Sequence, residues 1–169
     1  SSANTKSKIS DEIDSLTKEI NSISKIIKRR PKMLVGKPGL DGHSNGAEQI
    51  AVRSRDIGIE VVYEGIRSTP EQLVVAAIEE GVHIIGLSIL SGSHVHLVNV
   101  ILDLLKKNKY SHIPVIVGGI IPPDDEKKLL KKGVKAVFTP KDFKIENILK
   151  KITKIIKVSV WVKKNSEIR

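Results

Sequence analysis

The chain has 169 residues, 40% of them hydrophobic, no cysteine and a formal charge of +10, which allows one domain with an appendage and a real core. Without cysteine there is no disulfide framework and no thiolate chemistry, and no apolar run approaches the ~20 residues that span a bilayer. The charge invites a nucleic-acid reading, yet the lysines are scattered through amphipathic segments such as Lys127-Lys128 and Lys131-Lys132, and 3% aromatic residues leave little for base stacking. With no basic-then-apolar order of a secretory signal at the start, the expectation is a cytoplasmic protein without nucleic-acid or membrane partners.

In chain order, Ile9, Ile13, Leu16, Ile20, Ile23 and Ile27 recur at three- and four-residue spacing and predict an amphipathic helix that ends by Pro31. Such a helix either packs on its own domain or docks another subunit. From Lys32 onward, short β-branched runs alternate with longer amphipathic ones. The strands are expected at Met33–Gly36, Glu60–Tyr63, Ile84–Ser88, Val115–Gly118 and Ala136–Phe138. The helices between them are expected at Ala47–Asp56, Pro70–Glu80, Val95–Lys107, Asp124–Lys132 and Ile145–Lys157. Five strand-then-helix units imply an α/β fold, flavodoxin-like or Rossmann-like, in which a five-stranded parallel sheet is covered by helices on both faces. The run Val158-Ser159-Val160-Trp161-Val162 alternates like a short strand and carries the only tryptophan; it is also consistent with a flexible end or an interface patch.

Ligands of such sheets bind beyond the carboxyl ends of the strands, where the strand order reverses, so the loops after strands one, three, four and five are where chemistry is expected. The first of these is Lys37-Pro38-Gly39-Leu40-Asp41-Gly42-His43-Ser44-Asn45-Gly46. In an extended loop residues i and i+2 project to one side, so Asp41 can hydrogen-bond one ring nitrogen of His43 and leave the other free for a metal. One such ligand is too few for a bare structural or catalytic ion, which points to a metal carried inside a cofactor. The third loop runs Ser88-Ile89-Leu90-Ser91-Gly92-Ser93-His94, the fourth begins Gly118-Gly119 and the fifth is Phe138-Thr139-Pro140. Small, hydroxylated and glycine-rich strand ends would line a deep narrow slot suited to a long ligand with an apolar ring and a phosphate. His94 and His96 form a His-x-His pair without an evident third ligand, His83 opens a strand, and His112 carries no signal.

The order Asp-x-His-x-x-Gly after the first strand, Ser-x-Leu after the third and Gly-Gly after the fourth resembles the cobalamin-binding domains that hold vitamin B12 with its dimethylbenzimidazole tail detached. The resemblance covers about Lys32 to Lys157. Its longer blocks, Gly36 through Ala51, Gly86 through His94 and Val117 through Pro123, look closest to the B12 domain of ethylmalonyl-CoA mutases; Ser44-Asn45 stands where methylmalonyl-CoA mutases usually carry Asp-Arg. What this implies is an N-terminal helical extension or linker at 1–30, a cobalamin-binding domain at 31–157 and a C-terminal tail at 158–169.

By that resemblance the cofactor is adenosylcobalamin and His43 replaces dimethylbenzimidazole as the lower axial ligand of cobalt, with Asp41 fixing its tautomer. Gly42, Ser44, Asn45 and Gly46 lie beneath the corrin. Ser88 hydrogen-bonds the displaced base while Leu90 and Gly92 shape its pocket. Gly118 and Gly119 let the tail pass close to the backbone, and Phe138 with Thr139 closes the nucleotide end. The implied activity is a radical acyl-CoA carbon-skeleton rearrangement, an isomerase reaction of ethylmalonyl-CoA or methylmalonyl-CoA type. The acyl-CoA is held by a separate TIM-barrel mutase subunit or domain, so turnover by this chain alone is not expected. A corrinoid methyl carrier would add a helical cap larger than some thirty residues, and a phosphorelay receiver would need an acceptor aspartate where Ser88 stands.

Overall fold

The computed structural model describes residues 2–37, 45–64, 68–89, 92–142 and 144–167, with backbone alone at 45, 92–94 and 167. The elements run α1 (Ser2–Ile27), β1 (Lys32–Gly36), α2 (Asn45–Asp56), β2 (Glu60–Tyr63), α3 (Pro70–Glu80), β3 (Ile84–Ile89), α4 (Gly92–Lys107), β4 (Val115–Gly119), α5 (Pro123–Lys132), β5 (Ala136–Phe138) and α6 (Ile145–Glu167). All strand pairs are parallel and the order is β2-β1-β3-β4-β5. This is the expected flavodoxin-like sheet, and its direction of travel reverses between β1 and β3.

Local chemistry explains the element ends. Thr69 and Gln72 form a reciprocal capping box at the start of α3, Pro70 takes its first helical position, and Gly81 ends it at φ 61. Helix α5 carries Asp124, Asp125 and Glu126 in its first turn and Lys131 and Lys132 in its last, matching the helix dipole.

The two faces of the sheet are packed differently. On one, Leu34, Ile85, Leu87, Ile89, Val115 and Val117 bury against Leu73, Val74 and Ala77 of α3, Val98, Ile101 and Leu105 of α4 and Leu129 of α5. On the other, Met33, Val35, Ile84, Ile116, Ala136 and Phe138 bury against Ala51 of α2, Leu16, Ile20 and Ile23 of α1, and Ile148, Leu149, Ile152 and Ile156 of α6. Helix α1 thus packs on its own domain, with Ile20 fully buried. Its exit is held down by arginines: Arg29 Nη2 donates to the Gly81 carbonyl and Arg30 Nη1 to that of Gly58 at 3.2 Å.

Three boundaries differ from the sequence expectation by three residues or more. Helix α1 begins at Ser2 and α4 at Gly92, earlier than the stripes beginning at Ile9 and Val95 suggest, because polar first turns carry no periodic signal. Helix α6 does not stop at Lys157 but continues to Glu167, so the strand-like alternation of Val158–Val162 is corrected to helix. Over five residues a two-residue period cannot be told from a helical one. Here Ile152, Ile156 and Val160 continue a four-residue spacing toward the cluster that α1 completes.

Candidate binding crevice

The second face changes character along the strands. One transverse row of the register reads Val35, Gly86, Ile116 and Ala136, and two residues nearer the carboxyl ends it reads Ser88, Gly118 and Phe138. Below them Met33 and Ile84 fill the space with large side chains. Toward the carboxyl ends β3 and β4 therefore present Gly86, Ser88 and Gly118, and the side chains that would have met α2 and α6 are missing. The result is a crevice of about 420 Å³ roofed by Gly46, Ala47 and Ile50 of α2 and Ile145 and Ile148 of α6, with Phe138, Thr139 and Pro140 at one end. That volume falls within the roughly 300–1,000 Å³ of small-molecule sites.

The paired glycines differ. A Cβ on Gly118 would meet nothing nearer than the Phe138 carbonyl at 3.7 Å, so its missing side chain is open crevice. Gly119 has φ +148, and a Cβ there would collide with the Ile89 carbonyl of the neighbouring strand. Gly119 serves the strand pairing itself, where Ile89 and Gly119 are register partners.

Polar atoms in the crevice are few. Ser88 is 5% exposed. Thr139 Oγ1 is buried without a hydrogen-bond partner, an uncommon state that a ligand polar group would relieve. The turn that carries it is stiff: Asp142 Oδ2 accepts from the Thr139 amide at 2.7 Å, and the Asp142 amide donates back to the Thr139 carbonyl at 2.9 Å. Gly86, Ile50, Ile145 and Ile148 belong to the lining although loop-by-loop reading did not single them out. A glycine inside an apolar strand was the available signal for the first.

Of the residues expected at the site, Gly46, Ser88, Gly118, Gly119, Phe138 and Thr139 come together around this crevice. Asp41, Gly42, His43, Ser44 and Leu90 lie outside the described residues. Asn45 and Gly92 are described by backbone alone, as the first residues of α2 and α4. Among the described residues no group of three His, Asp or Glu side chains could hold a bare ion, and no helix is long and apolar enough to cross a membrane.

At the opposite, amino-terminal edge of the sheet, His83 Nδ1 accepts from the Lys32 amide at 3.0 Å while Nε2 lies 3.3 Å from Arg29 Nη2. Burial, then the charges of Arg29, Lys163 and Lys32, push its pKa down to about 4. This is a structural histidine held neutral, remote from the crevice.

A parallel sheet with a glycine-walled slot at its switch point, bounded at one end by the Thr139 turn, defines a flavodoxin-like domain with an open crevice of small-molecule size. The B12 binding domain family matches residues 31–149, and the chain belongs to that family. It is 54% identical to the ethylmalonyl-CoA mutase of Methylorubrum extorquens over 126 residues, 75% of this chain and 18% of that protein. It is 38% identical to the 2-hydroxyisobutanoyl-CoA mutase small subunit of Aquincola tertiaricarbonis over 120 residues, 69% of this chain and 88% of that one. The chain thus spans about a fifth of the ethylmalonyl-CoA mutases but nearly all of a separate small subunit. A cobalamin-binding protein from Desulfitobacterium hafniense superimposes with TM-score 0.63 over 87% of this chain and 70% of that one, at 20% identity. A Francisella receiver domain superimposes with TM-score 0.57 over 77% and 99% respectively, at 16% identity. These two likenesses show the fold alone.

Proposed function

We propose that the chain is the adenosylcobalamin-binding part of a radical acyl-CoA mutase of ethylmalonyl-CoA or methylmalonyl-CoA type, with the acyl-CoA held by a separate TIM-barrel subunit or domain. The observation that carries the cofactor is the crevice, where Gly86, Ser88 and Gly118 leave room above the sheet and a buried Thr139 hydroxyl waits for a partner. The mutase assignment rests on 54% and 38% identity to mutase proteins.

The residues fit the group in kind: an apolar floor and roof for a ring, hydroxyls for its polar edge, and a glycine where a chain must pass close to backbone. Ser88 and Thr139 would hold the detached tail, with Phe138 and Ile148 excluding water around it. His43 would be the lower axial ligand of cobalt, with Asp41 keeping the far ring nitrogen protonated and the imidazole oriented. When bound, the cofactor supplies radical chemistry through homolysis of its cobalt–carbon bond. This chain anchors and orients; it holds no substrate.

Titration with adenosylcobalamin, followed by visible absorption, should give the spectrum of a detached tail base. His43→Ala should abolish that binding mode and remove the histidine-nitrogen hyperfine splitting, recognised by isotopic labelling of histidine, from the electron paramagnetic resonance of the Co(II) form. Histidine splitting that survives the substitution would remove His43 from the cobalt. Co-purification with the barrel subunit and assay against each thioester then identifies the substrate.

A further inference from the structure

Two polar residues share the end of the crevice beyond β5. Thr139 has its Oγ1 buried with no hydrogen-bond partner among the described residues, and Asp142, three residues on, is exposed. Together they close a ring. Asp142 Oδ2 accepts from the Thr139 amide at 2.7 Å and the Asp142 amide donates to the Thr139 carbonyl at 2.9 Å, so the turn is fastened twice between the same two residues. A carboxylate acceptor makes the first of these bonds the stronger kind. Pro140 takes the second position of the turn, where its ring presets φ. Lys141 reaches the other way, with Nζ 3.5 Å from Glu126 Oε2 on α5; exposed at the lysine end, that pair adds little by itself.

The double fastening exceeds what a chain reversal needs. Many turns of this length lack even the backbone bond, and β5 has already ended at Phe138. What the ring does fix is the backbone of Thr139, and with it the few directions open to a β-branched hydroxyl. An unpartnered buried hydroxyl costs free energy, and Thr139 as a residue is only part-buried, so a slack turn would let Oγ1 swing toward water. The bond to Asp142 opposes that escape.

We infer that Asp142 is a positioning residue: through its ring with Thr139 it keeps the Thr139 hydroxyl aimed into the crevice, so that the polar end of the bound molecule meets a hydrogen-bonding group already in place. Such preorganisation raises affinity by removing the cost of ordering the site at the moment of binding. The inference rests on the reading that this crevice takes the nucleotide tail of cobalamin, and it assigns to Asp142 a part that the order of small and hydroxylated strand ends does not reveal.

The test is a double-mutant cycle in adenosylcobalamin affinity, followed by visible absorption on the full chain, with circular dichroism and denaturant unfolding of each cofactor-free form. Thr139→Val and Asp142→Ala should each weaken binding several-fold. The double variant should bind no more weakly than either single one, because Asp142 acts only through the hydroxyl. Asp142→Asn, whose amide oxygen can still accept from the Thr139 amide, should restore binding to near the wild-type level. Adenosylcobinamide, which lacks the nucleotide tail, should bind the wild type and every variant alike. Losses that multiply in the double variant overturn the inference, since Asp142 would then touch the ligand itself or act by shifting the roof at Ile145 and Ile148. It is overturned equally by an Asp142→Ala variant that binds as the wild type does, by an Asp142→Asn variant no better than Asp142→Ala, and by a loss as large with adenosylcobinamide as with adenosylcobalamin, the mark of a turn that only supports the fold. Each of those results, obtained on a wild type that binds adenosylcobalamin, leaves the cofactor reading standing. A wild type that binds neither corrinoid sinks both.

Discussion

The two faces of one sheet are built from the same strands and do opposite things. Facing α3, α4 and α5, the inward positions of β3 are Ile85, Leu87 and Ile89, and the space is filled even at Gly36 of β1, where Leu73 of α3 takes up the room of the missing side chain. Facing α2 and α6, the same β3 and β4 carry Ile84 and Ile116 low on the strands, then Gly86, Ser88 and Gly118, and the space stays open. A binding site here is made by withholding side chains from one face while the other supplies the stability that the gap forgoes. Because successive residues of a strand point to opposite faces, the two tasks are separable at single-residue resolution.

Substitutions should therefore split cleanly across the sheet. Ile85→Ala, on the filled face and fully buried, should lower stability by about 2–5 kcal/mol in denaturant unfolding, with cobalamin affinity of the folded fraction changed only a few-fold. Gly118→Val, one strand away on the open face, should do the reverse. Its Cβ enters empty space, so the unfolding midpoint should stay close to wild type while cobalamin affinity falls a hundredfold or more, about 3 kcal/mol. Equal losses of stability in both variants would erase the distinction between the faces. Asp41→Asn should retain cobalamin with an affinity ten- to a hundredfold weaker, the range for a residue that orients a ligating histidine; unchanged affinity by equilibrium titration would place Asp41 elsewhere.

A second contrast runs along the strands, between crevice and amino-terminal edge. His83 at that edge has its pKa pushed down to about 4 by burial and by Arg29, Lys163 and Lys32, below the ~6.5 of an unfolded histidine. The unfolded chain takes up this proton first, so stability is full above about pH 6.5, declines as pH falls toward 4 and levels off below. For a part-buried group the loss should be roughly 1–2 kcal/mol after allowance for solvent screening, and His83→Gln should flatten that part of the pH profile. Thr139→Val gives the smallest effect and one with opposed signs. Removing an unpartnered buried hydroxyl should raise the stability of the cofactor-free chain by up to about 1 kcal/mol, while weakening cobalamin binding several-fold. A drop in both would mean the hydroxyl already has a partner without cofactor.

Much of this was legible in one dimension. Alternation of β-branched and amphipathic runs specifies five parallel strands, and Ser88, Gly118 and Thr139 stand out as small or hydroxylated strand ends. These are local properties: hydrophobic periodicity and the small or hydroxylated residues that follow a strand act within a few residues of chain. The continuation of α6 through Val158–Val162 was not legible, since a five-residue alternation is ambiguous until α1 lies beside it.

The sequence by itself thus determined the order of elements, the end of the sheet where ligands belong and the family of the loops. Only the tertiary structure decided that Gly86, Ser88 and Gly118 share one wall with Ile50 and Ile148. It alone separated Gly118, which opens the crevice, from Gly119, which the Ile89 carbonyl requires, and paired α1 with α6 on the second face. Register between strands and contact between distant helices depend on how many faces bury their apolar surface at once, and no local pattern carries that information.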